Sequence, residues 1–141
     1  PYTTLFRSKV LEDFFRFDQI LLDAPCSGSG TILLNEPASY RAFSEKLVRN
    51  SAATQLALLK KALTILKRGG TMVYSTCSIL NTENENVVRA ALKGAHAQVE
   101  PIILPGMETL PLLPCALEGA LCVRPTAQYE GFFVARIRKD G

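Results

Sequence analysis

Two of the four cysteines in the chain sit in similar company. Cys26 lies within Asp23-Ala24-Pro25-Cys26-Ser27-Gly28-Ser29-Gly30 and Cys77 within Ser75-Thr76-Cys77-Ser78, each among small polar residues just past an apolar run. A thiol attacks carbon as its thiolate, a form that helix N-termini favour and apolar burial opposes. Covalent chemistry is therefore one reading of the pair. The other is packing, since a free cysteine is among the most buried residue types and behaves as a small hydrophobe. Packing is the better reading of one cysteine alone; a matched pair shifts the balance toward chemistry. Neither Cys-x-x-Cys nor a histidine cluster is present to favour a redox or metal pair. The one histidine, His96, falls in an expected surface turn.

The elements that must position these cysteines are legible. Phe17-Asp18-Gln19-Ile20-Leu21-Leu22-Asp23 reads as a buried strand, and the Pro/Ser/Gly cluster after it as a loop. Val48, Ala52, Leu56, Leu59, Leu63 and Leu66 recur at helical spacing, so a long helix is expected over 44–67. Lys67 and Arg68 suit the negative end of its dipole, and Gly69-Gly70 the stop. The β-branched run Thr71–Thr76 is a second strand. Thr82 and Glu85 form a Thr-x-x-Glu capping box for a second helix, closed by Gly94, whose dipole would favour a Cys77 thiolate. A strand is expected over 98–104, a proline-punctuated surface loop over 105–125, and a last strand over 130–138. This alternation argues for an α/β fold with a mostly parallel sheet. If the two cysteine-bearing strands are neighbours, both thiols face one cleft at their carboxyl ends, where such sheets bind ligands.

Bulk properties narrow the class. The 141 residues suffice for one domain, and 48% hydrophobic content describes a chain able to bury a core. No apolar run is long enough to cross a bilayer, and no signal peptide is visible. A net charge of +3 permits a polyanionic partner without establishing one. Scattered cysteines fit a reduced, cytoplasmic setting. Cys115 and Cys122 are assigned to structure.

These motifs, in this order, resemble the Sun family of RNA cytosine-5 methyltransferases from about Phe17 to Lys139. Asp23-Ala24-Pro25-Cys26-Ser27-Gly28-Ser29-Gly30 resembles its motif IV, Tyr74-Ser75-Thr76-Cys77-Ser78 its motif VI, and Glu83-Asn84-Glu85 the residues that follow. Lys67-Arg68-Gly69-Gly70 is similar to its Lys-Pro-Gly-Gly turn, and Glu130–Arg136 to its terminal strand. The resemblance implies the C-terminal half of a Rossmann-like methyltransferase fold, with an antiparallel last strand. It implies S-adenosyl-L-methionine as cofactor, bordered by Asp23, Ala24 and Pro25, and ribosomal or transfer RNA as substrate. It further implies that Cys77 attacks carbon 6 of the target cytosine, that Asp23 bonds the ring near position 3, and that Cys26 assists product release. Thr76 and Ser78 would orient Cys77, with turn formation as the alternative. Ser27, Thr76, Ser78 and Arg124 are the expected substrate-side residues. Arg124, Arg41, Lys46 and Arg49 would meet phosphates, or else are solvated surface charge. No metal, no membrane and a monomeric parent enzyme are expected.

The pattern departs from the family in one respect. The glycine-rich turn and the acid about 20 residues beyond it, which grip such a cofactor, are missing. Residues 1–8 are expected to be a non-native leader and 9–141 a partial catalytic domain, inactive alone. Two rival readings stand: a non-catalytic RNA-binding module of the same fold, and a DNA cytosine-5 methyltransferase using Cys26. The second is disfavoured by Pro25-Cys26-Ser27 where that family has Pro-Cys-Gln.

Overall fold

The computed structural model describes residues 15–141; the expected leader at 1–8 lies outside the described residues. Strand β1 (Phe17–Asp23) has the limits its apolar run and following proline dictate. Helix α1 (Glu45–Ile65) starts at Ser44, whose Oγ accepts from the Leu47 N–H at 3.0 Å. It buries Gln55, Leu59, Ala62, Leu63 and Ile65.

The expected end of α1 needs correction. The backbone turns extended at Leu66 and passes directly into strand β2 (Leu66–Thr76). Lys67 points away from the helix terminus to Asp18, at 3.1 Å. The cation at that terminus is Lys139, whose Nζ donates to Leu63 O at 2.7 Å and Leu66 O at 2.9 Å. Gly69, at φ 75°, turns the chain within β2. The register between β1 and β2 slips there, from Phe17 against Leu66 to Gln19 against Thr71.

Helix α2 (Glu85–Leu92) begins two residues later than a cap at Thr82 would set, and the capping box does not form. Thr82 is exposed, whereas Glu85 is buried beside Cys115. The N-cap is Asn84, whose side chain is used elsewhere.

Strand β3 (Ala97–Glu100) stops at Pro101, so the expected extension to Leu104 is absent, and Ile103 and Leu104 are exposed. The proline-rich stretch holds strands β4 (Leu112–Leu113) and β5 (Leu121–Val123), too short to show a period in sequence. Strand β6 (Phe132–Lys139) closes the fold.

Among the described residues the sheet has six strands in the order β1-β2-β6-β5-β4, with β3 also paired to β6. The pairings set β1, β2, β3 and β5 in one direction and β4 and β6 in the other. The fold is thus the expected α/β arrangement with an antiparallel last strand. Parallel hydrogen bonding itself is confined to β1–β2, because β6 lies between β2 and the other strands. Tyr74, Met72, Phe133, Ala135 and Ile137 pack with Leu59, Ala62 and Leu63 of α1 and Val87, Val88 and Ala91 of α2 in one core. Tyr74 and Phe133 meet edge to face at 6.2 Å.

Candidate active site

The pairing of Asp23 with Ser75 brings the carboxyl ends of β1 and β2 level, so the two cysteine loops leave the sheet side by side. Ala24 N–H donates to Ser75 O, and Gly30 N–H to Cys77 O, both at 2.9 Å. These backbone bonds tie the first loop along the second. The thiols of Cys26 and Cys77, both half-buried and free, come to 2.8 Å between sulfurs.

Behind the sulfurs lies a polar layer with buried Glu83, Asn84, Thr76 and Ser78 at its centre and half-buried Ser27 and Ser29 at its rim. Glu83 is fully buried, and each of its hydrogen bonds comes from a donor. Its Oε1 accepts from Ser27 N–H at 2.6 Å; its Oε2 accepts from Ser27 Oγ at 2.6 Å and Ser78 Oγ at 2.5 Å. Asn84 brackets Cys77: Oδ1 accepts from Thr76 Oγ1 at 2.6 Å, and Nδ2 donates to Ser78 O at 2.8 Å. Ser29 Oγ accepts from Ile79 N–H and contacts Ser78 Oγ at 2.9 Å. Tyr74 supports the layer from the core, donating to Glu83 O at 2.8 Å. Its phenol is pushed far above the ordinary range by burial, then by Glu83 and Cys26.

The surroundings of Cys77 act mainly against its thiolate. Burial, then the Cys26 thiol through both hydrogen bond and charge, pushes the Cys77 thiol up to about 12. Asp23 adds to that rise. The first turn of α2 carries Glu85, and the side chain of its N-cap, Asn84, is engaged on either side of Cys77.

Asp23 is exposed, with Oδ1 held by Ser75 Oγ at 2.9 Å, so its carboxylate looks into the space above the sheet edge. Pro25 O accepts from Gln55 Nε2 at 2.8 Å, which anchors the first loop to α1. Gln55 Oε1 has no partner among the described residues. Thr76 and Ser78, on either side of Cys77, are buried and hydrogen-bonded to Asn84. Ser27 Oγ is likewise committed to Glu83. Arg124 is exposed on the loop after β5 and takes no part in the bonds joining the cysteine loops; its N–H donates to Pro111 O. Arg41 and Lys46 are exposed, and Arg49 pairs with Glu45 at 3.5 Å.

A third segment fixes the pair from β6. Gly131 N–H donates to Gly30 O at 2.7 Å. A Cβ at Gly30 would stand 2.3 Å from Gly131 O and 2.7 Å from Cys77 O, so only glycine fits. Beside this contact a cavity of about 200 Å³ opens between Gly30–Leu33 and Pro125–Glu130.

Glu83 and Asn84 were legible only as residues trailing the second motif. A buried acid and amide outside any apolar period give no pattern, and their partners are serines and a threonine scattered over two loops. Cys122 is buried, and the Cys115 thiol lies against Leu117 O, in keeping with structural roles.

Residues 5–138 match the family described as 16S rRNA methyltransferase RsmB/F. Ribosomal RNA small subunit methyltransferase F of Cronobacter sakazakii is 43% identical over 127 residues, covering 88% of this chain and 26% of that protein. The same-named protein of Shigella flexneri serotype 5b is 44% identical over 126 residues, covering 87% and 26%. Among solved structures, NSun6 from Pyrococcus horikoshii with SFG superposes with a TM-score of 0.72 at 30% identity, covering 94% of this chain and 33% of that one. A methyltransferase homolog protein from the same organism gives 0.72 at 34%, covering 92% and 41%. The chain spans about a quarter of the length of the curated relatives it matches.

Proposed function

The chain belongs to the 16S rRNA methyltransferase RsmB/F family, and from that premise we propose that it carries the nucleophile of an S-adenosyl-L-methionine-dependent RNA cytosine-5 methyltransferase. The observation that carries this reading is the pairing of two free thiols at 2.8 Å over the carboxyl ends of adjacent parallel strands. Carbon 5 of cytosine is a poor nucleophile, and a bond at carbon 6 supplies the electron density it lacks. The Cys77 sulfur adds to carbon 6 as its proton passes by way of Asp23 to ring nitrogen 3, which takes up the displaced electron pair. Carbon 5 takes the methyl group. Loss of the proton from carbon 5, assisted by Cys26, restores the double bond as the sulfur–carbon 6 bond breaks.

Asp23, as the protonated acid, donates to ring nitrogen 3 and offsets the negative charge that develops there. Its exposed carboxyl group is steadied by Ser75, whose Oγ donates to one oxygen and leaves the other for the ring. S-adenosyl-L-methionine supplies the methyl group when bound, and Asp23, Ala24 and Pro25 would border its methionine end. The fit rests on their place at the carboxyl end of β1, where the chain exposes a carboxylate and leaves the sheet. Arg124, exposed beyond β5, is a phosphate contact. The target cytosine reaches Cys77 unpaired or flipped out of its helix, at a cost of about a few kcal/mol. The family match favours ribosomal RNA as the substrate, with the cytoplasm as the compartment.

The test uses a complete methyltransferase carrying this segment, with small-subunit ribosomal RNA as substrate. Cys77→Ala should abolish methyl transfer, and Cys26→Ala should accumulate a covalent protein–RNA adduct visible on a denaturing gel. Adduct formation lost in Cys26→Ala but kept in Cys77→Ala would invert the two roles. Neither adduct nor methylation from the unsubstituted enzyme on any RNA would leave only an RNA-binding module.

A further inference from the structure

We infer that Glu83 is a positioning residue, a buried clamp that holds the Cys26 loop against the Cys77 loop. The inference deepens the proposed function and takes its catalytic meaning from it, but its geometry stands alone. Glu83 is the one side chain described here that hydrogen-bonds a neighbour of each cysteine: Ser27 through both N–H and Oγ, and Ser78 through Oγ. All three contacts fall between 2.5 and 2.6 Å, and the residue is 0% exposed.

The clamp has a rigid base. Tyr74, itself buried in the core, donates to the backbone carbonyl of Glu83. Asn84, the next residue, holds Thr76 and Ser78 on either side of Cys77. A buried carboxylate is costly unless its oxygens meet donors, and here three donors from the two cysteine loops meet them. Two loops 51 residues apart in sequence must bring their sulfurs to one substrate ring, and an error of about 1 Å is enough to cost rate heavily. A single side chain bonded to both loops fixes their separation directly.

The experiment needs neither RNA nor cofactor. In the intact chain, Cys77 is alkylated with iodoacetamide across pH and followed by peptide mass spectrometry. Cys26 and Asp23 are the titratable groups acting on Cys77, and both raise it. If Glu83 holds Cys26 in place, Glu83→Gln releases that thiol, and Cys77 labelling moves toward the profile of Cys26→Ala. Labelling at pH 8 should rise by about tenfold, the equivalent of one pKa unit. In the Cys26→Ala background, Glu83→Gln should add nothing. Glu83→Asp, which shortens the clamp yet keeps the carboxylate, should fall between. Ser27→Ala removes one of the three bonds from a half-buried site and carries the same test should Glu83→Gln fail to fold.

A folded Glu83→Gln or Ser27→Ala protein whose Cys77 profile superposes on that of the unsubstituted chain would overturn the clamp. So would an equal shift with and without Cys26. Neither result would touch the proposed function, which fails separately if Cys77→Ala leaves methyl transfer intact.

Discussion

Cys26 and Cys77 share a thiol contact of 2.8 Å, and that contact opposes ionisation of the residue assigned as nucleophile. Burial and Cys26 together set the Cys77 thiol at about 12, so without a substrate the nucleophile is held protonated. On the proposed mechanism, ionisation of Cys77 then belongs to the step in which the ring enters and the thiol contact is replaced. For an acid whose folded value lies above its ordinary one, thiolate appears only at higher pH. Alkylation of Cys77 in the unsubstituted chain should accordingly keep climbing well beyond pH 9. Cys26→Ala removes both the hydrogen bond and the charge, so its profile should move to lower pH. A Cys77 that reaches full reactivity near pH 9 in both proteins would sink this account.

The linkage to stability has the same sign. Below the ordinary thiol value both folded and unfolded Cys77 are protonated, and the full stability is present. As pH rises from about 9 toward 12 the unfolded chain releases its proton first, so stability is lost across that window. Cys122, pushed up to about 11 by burial and then by Glu85 and Cys115, adds to the same alkaline loss. Thermal melting between pH 8 and 10.5 should show a falling midpoint, and a shallower fall in Cys77→Ser. An unchanged slope in that variant would assign the loss to other groups.

Gly30→Ala tests the three-way contact that holds the first loop. The new methyl group would meet backbone oxygens of Gly131 and Cys77, and neither can rotate away as a side chain would. Overpacking of this kind costs about 1–3 kcal/mol. Urea denaturation should show a loss of that size, with Cys77 more open to alkylation as the loop withdraws. A stability change within about 0.5 kcal/mol, the range of surface substitutions, would mean that the strands separate easily there.

Much of this site was legible, and the exceptions share a cause. β1 and α1 appear nearly where their patterns put them, because an apolar run or stripe is itself the physical demand for burial. Both cysteine loops follow from small residues and proline just past those strands. What stayed hidden depends on which segments meet in space. Glu83 acquires its partners from two loops at once, and no local spacing encodes that. Thr82 and Glu85 have the letters of a capping box, but Glu85 is drawn into the interior near Cys115, so the reciprocal bond has no donor–acceptor pair. The parallel pairing expected across the sheet is limited by β6, whose place beside β2 is fixed by packing of Phe133, Ala135 and Ile137 rather than by any signal in the strand.

Helix starts offer a direct comparison. Ser44 caps α1 with its hydroxyl, so Ser44→Ala should cost about 1 kcal/mol. Thr82 is exposed and caps nothing, so Thr82→Ala should stay within about 0.5 kcal/mol. Denaturant midpoints at constant slope would measure both. Equal losses would restore the capping box that the sequence suggests.

The C-terminus of α1 poses the same question of which lysine acts. Lys67 was the natural candidate, placed at the end of the apolar stripe, yet its ammonium reaches Asp18 on the surface, with both partners well exposed. Exposed pairs of this sort contribute about 0–1 kcal/mol and are screened by salt. Lys139 comes from the far end of the chain and donates to two carbonyls that the helix leaves open at its end. Burial, followed by Arg16 and Arg68, lowers its own titration, so the helix end holds this cation against some opposition. A charged donor to a carbonyl contributes about 1.5–3 kcal/mol, offset here by that desolvation. Lys139→Met, which keeps the apolar stem, should therefore destabilise by about 1–2 kcal/mol and free the last turn of α1 to exchange its amides faster. Lys67→Met should change stability by less than about 0.5 kcal/mol and lose its effect in high salt. Hydrogen exchange at Leu63–Leu66 separates the two: faster exchange in Lys67→Met than in Lys139→Met would return the terminus to the residue that the sequence pattern favours.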